Sequence, residues 1–531
     1  MQGMNKRVGA DHSPCVSSYS SSEFLGAHRR GAWIVFRYFD PFADSVFVVG
    51  SFNGWGAGVA MEKARDGVWT ATVSKDDCPD GTKYKYKVYE NGSPRYVSDP
   101  YGERTDGEPY HNSVLCKTGS YVWGDGAYLE QSEAIYGEGF ENQPFHVYEM
   151  SLAGWRAENV TYQSAAEELS IYARQMGYTH VLIDDVFCRC CCDNRAERSV
   201  AFYAPNAQFG DADGFRRFVD VMHRARIGVI IDWNFEDGRD IYSRHELCSG
   251  AVLYWMCNYH IDGIVLKVSD KRGADIARNV AGEVRNARRG AVVIIKCSGE
   301  MFKHDGNCIV WDPNCNDALM RAFSSDFYDR RARNIAACAT ADSIVSLSGK
   351  RYINDLPGDE WRVFAAARAA FASFMTGNGK KSTYMGCEIG MKNGERVAWS
   401  VLDSDYNAGL QLCHSDMGEI YLSHASLWRG QTVTVDDSYV GDGVVMLRRA
   451  FGGESLLILV NTSVNAYENR EFTVSECGRY DEIFNSDSLR YGGSGVVNKT
   501  ALCAESDGQK CVMRGVRVPP LATAIFKLRS K

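Results

Sequence analysis

The sequence has no long apolar run and no excess of positive charge, and its first residues are not those expected of a secretory signal. No apolar stretch reaches the roughly 18 residues that a membrane-spanning helix requires, so we expect no membrane partner. The 59 Lys and Arg against 67 Asp and Glu give a net charge of −8, which argues against nucleic acid and favours a neutral ligand. The polar, serine-rich start lacks the apolar core of a secretory signal, so we expect a cytoplasmic protein.

The cysteines form no recognisable metal motif. Of the 18 cysteines, several lie inside apolar stretches, which favours buried thiols over disulfides in a reducing compartment. Cys188-Arg-Cys-Cys-Cys192 lacks a second pair at the spacing that zinc ligands show. We therefore expect a thiol-rich loop, no bound metal and no cofactor.

A chain of 531 residues is too long for one domain, and its hydrophobic pattern changes along its length. Short alternating runs such as Lys83-Tyr-Lys-Tyr-Lys-Val-Tyr89 are typical of a β-sandwich, and about the last 90 residues return to β-patterns such as Ser455-Leu-Leu-Ile-Leu-Val460. Between them, helical runs alternate with apolar runs such as His180-Val-Leu-Ile183, which predicts an α/β domain, a (β/α)8 barrel. The predicted segments are a disordered serine-rich tail over 1–30, a β-sandwich over 31–118, a linker over 119–145, the barrel over 146–428 and a β-sandwich over 429–531.

A series of motifs runs in order along the chain. They are Gly50-Ser-Phe-Asn-Gly-Trp55, His146-Val-Tyr-Glu-Met-Ser-Leu-Ala-Gly-Trp155, Gly228-Val-Ile-Ile-Asp-Trp233, His260-Ile-Asp-Gly263, Leu356-Pro-Gly-Asp-Glu-Trp361 and Tyr491-Gly-Gly-Ser-Gly495. This series resembles the 1,4-α-glucan (glycogen) branching enzymes of the α-amylase superfamily. The resemblance implies a TIM barrel flanked by an N-terminal glycogen-binding-like module and a C-terminal all-β domain. It also implies a retaining transfer of an α-1,4 chain to form an α-1,6 branch.

The resemblance places the family's catalytic positions on residues that do not suit this chemistry. The nucleophile position is Lys267 and the acid/base position is Lys296, where a retaining enzyme needs two carboxyl groups. An ammonium group cannot attack the sugar, and its charge has the wrong sign to stabilise an oxocarbenium-like transition state. The third-carboxylate position is Asp342, and the conserved-motif position Asp232 is retained. No intact catalytic set is therefore expected.

Neighbouring acids are poorly placed to replace the missing carboxylates. Asp270 and Glu300 follow Lys267 and Lys296 at a distance of about 10–13 Å along an extended chain. A catalytic pair tolerates a displacement of only about 0.5 Å. The loops that form the substrate cleft in the family are also shortened, because Ser269–Arg289 must hold both a loop and a helix.

Two lysines facing each other across a barrel need neutralising partners. Asp232, Asp342 and Glu388 are the candidates, and the simplest expectation is an ion-paired plug. The alternative is an anion or phosphosugar site built around Lys267 and Lys296.

The N-terminal module is similar to glycogen-binding modules, which stack an aromatic face on glucose. By motif, Trp55, Lys85 and Tyr96 are candidate carbohydrate-binding residues, with Asn112 as a fourth. The alternative is that these side chains pack against the barrel.

These features predict a catalytically degenerate branching-enzyme homologue that acts as a glucan-binding or regulatory pseudoenzyme. The expected partners are α-glucan or glycogen and an active glucan-metabolising enzyme. Two alternatives stay open: an active branching enzyme with an altered site, and a phosphosugar sensor that uses Lys267 and Lys296.

Overall fold

The computed structural model describes most of the chain. The described residues are 23–116, 121–137, 139–140, 143–156, 159–187, 189–190, 198–199, 201–233, 245–297, 308–311, 321–324, 327–338, 344–347, 352–392 and 396–529. Asp342, Glu300 and, in the cysteine-rich segment, Cys188, Cys191 and Cys192 lie outside them. The predictions for these positions stay predictions.

The N-terminal module is a sandwich of two antiparallel sheets. Its strands are β1 Gly26–Arg30, β2 Trp33–Phe39, β3 Ser45–Gly50, β4 Val59–Ala60, β5 Glu62–Lys63, β6 Val68–Ser74, β7 Lys83–Glu90, β8 Ser93–Val97 and β9 Ser113–Val114. One sheet has the order β1-β2-β6-β5 and the other β4-β3-β7-β8, with β9 paired to β7. Alternate residues of β2 and β7, among them Phe36 and Tyr86, are buried between the sheets, as half-buried strands require.

The prediction of a disordered tail through residue 30 is wrong for its last five residues. β1 pairs antiparallel with β2, from Gly26 opposite Arg37 to Arg30 opposite Trp33. The guanidinium of Arg37 also lies 4.5 Å from the ring centroid of Phe24. The sequence did not predict this strand, because the strand has no apolar pattern and is held in place by backbone pairing with β2.

Eight parallel strands form the central barrel. In chain order the strands of this region are β10 His146–Met150, β11 His180–Ile183, β12 Arg189–Cys190, β13 Arg198–Ser199, β14 Gly228–Trp233, β15 Gly263–Lys267, β16 Val292–Lys296, β17 Ile309–Trp311, β18 Val345–Leu347 and β19 Lys381–Tyr384. β12 and β13 form a separate ribbon, and the others pair in the order β17-β16-β15-β14-β11-β10-β19-β18. A parallel bridge between Trp311 and Ile344 joins the two ends. The closed sheet confirms the (β/α)8 prediction.

Helices surround the barrel. They are α1 Gly126–Tyr136, α2 Leu152–Trp155, α3 Tyr162–Gln175, α4 Ala212–Arg224, α5 His245–Asn258, α6 Lys271–Ala287, α7 Tyr328–Cys338, α8 Glu360–Thr376, α9 Asp405–Ser423 and α10 Ser426–Arg429. Thr161, Asp211, Asp270 and Asp359 begin four of these helices by accepting a hydrogen bond from the backbone N–H three residues on. No helix in the described part of the chain is long and apolar enough to cross a bilayer.

The segment 119–145, predicted as a linker, contains α1. Tyr128, Ser132 and Tyr136 of this helix are buried. Tyr136 belongs to the same apolar cluster as Phe145 and Val147 at the start of β10. The segment therefore packs as part of the barrel, because these tyrosines cover its amino-terminal end.

The C-terminal region is all-β, as predicted. Its strands are β20 Thr432–Asp436, β21 Val444–Phe451, β22 Glu454–Asn461, β23 Tyr467–Val474, β24 Gly478–Asn485, β25 Leu502–Ser506, β26 Cys511–Val518 and β27 Ala522–Leu528. They form one sheet of order β20-β21-β22-β27-β24-β25-β26-β23. Leu456 and Ile525 pack on α8 and α9, whereas Leu457 and Phe526 point to the other face and fill a second core.

The expectation of thiols in place of disulfides is met only in part. Cys78 and Cys413 are buried thiols, and burial raises the pKa of Cys413 to about 12. Cys477 and Cys511 form a disulfide, with a Cα–Cα distance of 5.2 Å, so the expectation is wrong for this pair. The reason is geometric, because the turn after β23 and the start of β26 bring the two residues together at one edge of the sheet.

Candidate functional site

The two-residue period of the strands builds the barrel interior in layers. Val147, Leu182, Ile230, Val265 and Ile294 point inward and form an apolar layer. Their neighbours in sequence point outward to the helices. The residues two positions further along each strand therefore form the next layer toward the carboxyl end.

That next layer is charged. It contains Glu149 on β10, Asp232 on β14, Lys267 on β15 and Lys296 on β16, each two residues past an inward-facing valine or isoleucine. Lys267 and Lys296 stand directly opposite each other in the parallel register. The layer lies at the end of the barrel where barrel enzymes build their active sites.

Each lysine in this layer pairs with one carboxylate. Nζ of Lys267 lies 2.5 Å from Oδ2 of Asp232, and Nζ of Lys296 lies 3.4 Å from Oε1 of Glu149. The ammonium of Lys296 also lies 3.9 Å from the ring centroid of Trp311, within cation–π range. These contacts form two lysine–carboxylate pairs within the layer. We call these four side chains the charged layer.

Glu149 is the member of the charged layer that the sequence argument missed. Burial raises the pKa of Glu149 above its ordinary value, Lys296 opposes this rise, and Asp232 adds to it. An acid two positions after inward-facing Val147, in an otherwise apolar strand, was the available signal.

The loop after β15 is short, as the sequence predicted. Val268, Ser269 and Asp270 alone join this strand to α6. Oδ1 of Asp270 accepts a hydrogen bond from the backbone N–H of Gly273 at 2.7 Å and so begins the helix. One oxygen of this carboxylate is therefore engaged at the start of the helix.

Glu388 is not a partner of either lysine, contrary to the prediction. It accepts hydrogen bonds from the hydroxyls of Tyr148 at 2.7 Å and Tyr172 at 2.8 Å. Tyr148 alternates with inward-facing Val147 and therefore points out of the barrel toward the helices. Burial raises the pKa of Glu388. The third candidate, Asp342, lies outside the described residues.

A buried charged network closes the opposite, amino-terminal end of the barrel. Nδ1 of His223 on α4 lies 2.8 Å from Oδ2 of Asp125, and its Nε2 lies 2.9 Å from Oδ2 of Asp262. Nδ1 of His260 contacts the same Asp125 oxygen at 2.9 Å. Burial alone lowers the pKa of His223, but the two carboxylates outweigh it and raise that pKa. The network fixes the start of α1 to the barrel.

Comparisons with known proteins find similarity at both ends of the chain and along nearly its whole length. Residues 24–102 match Carbohydrate-binding module 48 (Isoamylase N-terminal domain), and residues 435–529 match the Alpha amylase, C-terminal all-beta domain. The 1,4-alpha-glucan branching enzyme GlgB 2 of Clostridium perfringens strain SM101 is 27% identical over 99% of this chain and 97% of that protein. GlgB of Francisella philomiragia is 27% identical over 96% of this chain and 95% of that protein. Over nearly its whole length the chain is therefore similar to 1,4-alpha-glucan branching enzymes.

Solved structures agree with the fold of this branching-enzyme homologue. The catalytic module of the glycogen-degrading pneumococcal virulence factor SpuA matches with a TM-score of 0.73 and 13% identity, over 96% of this chain and 98% of that one. The GBS pullulanase SAP, solved with maltotetraose, matches with a TM-score of 0.71 and 12% identity, over 96% and 88%. The alignment with the Clostridium relative spans 650 residues against 531 here, so that relative carries insertions that this homologue lacks.

The N-terminal module of this branching-enzyme homologue presents three predicted sugar-binding residues on one sheet. Trp55 is 37% exposed and Tyr96 is 53% exposed, so neither is covered by the barrel. Lys85 on β7 pairs with Val49 at the end of β3. Trp55 stands in the turn that follows β3, where its backbone N–H donates to the carbonyl of Gly50 at 2.9 Å.

Lys87 joins this surface and was missed by the sequence argument. It lies opposite Tyr96 in the pairing of β7 with β8, and its Nζ is 5.9 Å from the centroid of that ring. The alternation of lysines along β7, which puts Lys85 and Lys87 on one face, was the signal. We call Trp55, Lys85, Lys87 and Tyr96 the module surface.

Asn112 does not belong to the module surface, and the prediction for it is wrong. Its side chain is buried, and its Nδ2 donates to Oδ2 of Asp106 at 2.9 Å while its backbone N–H donates to Oδ1. The amide is turned inward because it satisfies this carboxylate. Asp106 also acts on Lys85 of β7. Burial lowers the pKa of Lys85, and the charge of Asp106 opposes that shift.

Proposed function

We propose that this protein is a glucan-binding member of the branching-enzyme family that does not catalyse branch formation. The observation that carries the proposal is the Lys267–Asp232 ion pair, which occupies the strand end where the family resemblance puts the nucleophile. A retaining transfer needs a nucleophilic carboxylate about 5–5.5 Å from a carboxylic acid. Here the corresponding strand ends carry two ammonium groups.

The charged layer supports a scaffold role for the barrel. Its ammonium groups are matched by buried carboxylates, so the layer plugs the barrel mouth instead of offering a nucleophile. The short connection from β15 to α6 leaves little wall for a substrate cleft at that position.

The module surface supports glucan binding. Exposed Trp55 and Tyr96 offer aromatic faces for sugar rings, and the ammonium groups of Lys85 and Lys87 can donate hydrogen bonds to hydroxyls. We propose that the protein binds α-glucan or glycogen through this surface. It would thereby regulate, or direct to glucan, an active glucan-metabolising enzyme.

We also propose that the protein works in the cytoplasm. The buried thiols of Cys78 and Cys413 support this assignment, and the Cys477–Cys511 disulfide counts against it. Fractionation of cells that express the full chain would test it, and recovery outside the cytoplasm would contradict it.

Two assays on the purified full chain test the proposed function. Native gels cast with glycogen should retard the protein relative to gels without glycogen. Incubation of amylose with the protein should leave the absorbance of the amylose–iodine complex unchanged. Unretarded mobility would remove the glucan-binding claim, and a falling iodine absorbance with new α-1,6 linkages would remove the claim of inactivity.

An active branching enzyme with an altered site is the second candidate. The observation that favours it is the coverage of nearly the whole chain by relatives named as branching enzymes. The amylose assay separates the two candidates. A phosphosugar sensor at Lys267 and Lys296 is not proposed, because Asp232 and Glu149 already neutralise both ammonium groups.

A further inference from the structure

A cavity of about 480 Å³ opens beside the starts of β11 and β14, at the end of the barrel opposite the charged layer. It is lined by residues of α1, by the carboxyl-terminal end of α3, by the turns that follow α3 and α4, and by Leu422 of α9. Its volume lies in the range of small-molecule sites. Neither the charged layer nor the module surface contributes to the lining, so the function proposed above gives this cavity no role.

Two guanidinium groups line the cavity, and among the described residues that line it there is no carboxylate. Arg174 stands in the last turn of α3 and Arg226 just after α4, and both are exposed. Nη1 of Arg226 donates a hydrogen bond to Oε1 of Gln131 on α1, which is a neutral partner. Within the described part of the chain neither arginine forms an ion pair. In a protein of net charge −8, this rim is therefore a local site of positive charge.

The carbonyl groups at the ends of α3 and α4 do not compete for a ligand, because backbone N–H groups already bond to them. Both helices end in a Schellman motif, in which the two residues after the helix cap donate back into the last turn. These bonds run from Gly177 to Arg174, from Tyr178 to Ala173, from Arg226 to His223 and from Ile227 to Met222.

The two motifs differ in the residue that takes the left-handed position. After α3 this residue is Gly177, with a φ of 73°, as the motif favours. After α4 it is Arg226, with a φ of 65°, a conformation that a side chain disfavours. Glycine would suit this backbone better, so what the arginine adds at this position is its guanidinium group at the rim of the cavity.

The rest of the lining is largely apolar. Ile135, Ile227 and Leu422 offer aliphatic surface. Tyr128 also lines the cavity, but its ring already stacks on His223 with the centroids 4.1 Å apart. The aliphatic side chains are therefore the surface that an apolar part of a ligand would cover, and the arginines are the groups that would hold a negative charge.

We propose that this cavity binds a small phosphomonoester that has an apolar or aromatic body. A phosphate monoester carries about −1.5 to −2 charges at neutral pH, which matches two guanidinium groups better than a single carboxylate does. Its oxygens accept charge-assisted hydrogen bonds from Arg174 and Arg226. Its body lies against Ile135, Ile227 and Leu422, where it buries apolar surface. The site is separate from the module surface and does not depend on glucan binding.

Calorimetric titration of the full chain with phenyl phosphate, in a buffer free of phosphate, tests the proposal. One binding event is expected. Benzoate, which carries a single charge, and inorganic phosphate, which lacks the body, should each bind at least about tenfold more weakly. Benzyl alcohol, which has the body without the charge, should show no binding.

Three variants test the role of the arginines. Arg174→Gln combined with Arg226→Gly should weaken phenyl phosphate binding at least about tenfold, since the charge-assisted hydrogen bonds are lost. Gln131→Glu puts a carboxylate beside Arg226 and should weaken binding without removing a group from the cavity. Arg217→Gln, at an exposed position on α4 outside the cavity, is the control and should leave the affinity unchanged.

The melting temperature separates a binding role of Arg226 from a structural one. Arg226→Gly should unfold at a temperature no lower than the parent, because glycine adopts the left-handed conformation freely. A clearly lower melting temperature would assign the arginine a structural role and contradict the proposal.

Four further results would overturn it. They are no heat of binding with phenyl phosphate, equal affinity for benzyl alcohol, an affinity that survives Arg174→Gln/Arg226→Gly, and tighter binding of benzoate or inorganic phosphate than of phenyl phosphate. Retardation in glycogen gels should be the same in this double variant as in the parent. Failure of glucan binding would therefore leave the phenyl phosphate titration as it is.

Discussion

Nζ of Lys267 lies 2.5 Å from Oδ2 of Asp232, across two neighbouring strands at the carboxyl end of the barrel. The lysine side chain is 36% exposed, whereas the aspartate is 4% exposed. The aspartate therefore depends on this ammonium group for its charge to be tolerated. The family resemblance places a nucleophile at this same end of the barrel, and the residue found there, Lys267, pairs with a buried carboxylate instead.

Lys267→Met should destabilise the protein by about 1–3 kcal/mol, because buried Asp232 would lose its cation. Urea unfolding followed by tryptophan fluorescence measures this change. Lys271→Met at the exposed start of α6 is the matched control and should stay within about 0.5 kcal/mol of the parent. In Lys267→Met/Asp232→Asn the loss should be smaller than the sum of the single effects. Equal losses for the Lys267 and Lys271 variants would contradict the ion-pair account.

Glu149→Gln should change how stability depends on pH. The pKa of Glu149 is raised above 4.5, so the folded state binds this proton more tightly than the unfolded chain does. Its contribution to stability is therefore full below about pH 4.5 and falls as pH rises toward the folded-state pKa. The glutamine variant should lack this fall and be at least as stable as the parent near neutral pH.

Melting temperatures of Glu149→Gln and its parent, taken across about pH 4 to 7, check this expectation. Lys296→Met removes the cation that opposes the rise in pKa, so its stability should keep falling to higher pH than in the parent. A glutamine variant with the parent's pH profile would show that Glu149 does not titrate as described.

His223→Gln should also change how stability depends on pH. In this case neighbouring carboxylates, and not burial, raise the pKa. The pKa of His223 is raised by Asp262 and Asp125 against the effect of burial. Its contribution is full below about pH 6.5 and is lost as pH rises through the folded-state pKa. The variant should be less stable than the parent at mildly acidic pH, and the difference should shrink in alkaline solution. Thermal unfolding measures this difference, with His28→Gln in the N-terminal module as control; a gap that widens with rising pH would contradict the assignment.

Trp55→Ala should weaken glycogen binding by up to about tenfold, because an exposed aromatic face is removed from the module surface. The retardation of the full chain in glycogen gels measures it. Trp33→Ala is the matched control, since Trp33 is 52% exposed but lies on β2 in the other sheet of the module. If Trp55→Ala and Trp33→Ala reduce the retardation of the protein by the same amount, the module surface is not the binding face.

The fold could be predicted well because its signals are local. The runs 180–183 and 263–266 have apolar character and lie between helical patterns, and each became a barrel strand. The family resemblance placed Lys267 at a strand end, and Asp232 was one of three candidate partners for the lysines. The strand Gly26–Arg30 was missed, since its stability comes from pairing with β2 and not from its own side chains.

The candidate site was harder to predict because its partners are distant in the chain. Glu149 lies 147 residues before Lys296, and only closure of the barrel brings the two together. Glu388 comes four residues after a barrel strand ends, and the choice between lysine and Tyr148 depends on how the chain turns there. Asn112 was predicted to bind sugar because a side-chain amide can hydrogen-bond to hydroxyl groups. In the structure this amide donates a hydrogen bond to the carboxylate of Asp106 instead.

The measurement that tests the central claim most directly is the count of α-1,6 linkages in amylose after incubation with the purified full chain. Proton magnetic resonance resolves the α-1,6 anomeric signal from the α-1,4 signal, and the Clostridium perfringens branching enzyme serves as the positive control under the same conditions. The account predicts no α-1,6 signal above the amylose blank, because Lys267 and Lys296 are held in ion pairs where carboxyl groups are needed. An α-1,6 signal that grows with time and protein concentration would contradict it.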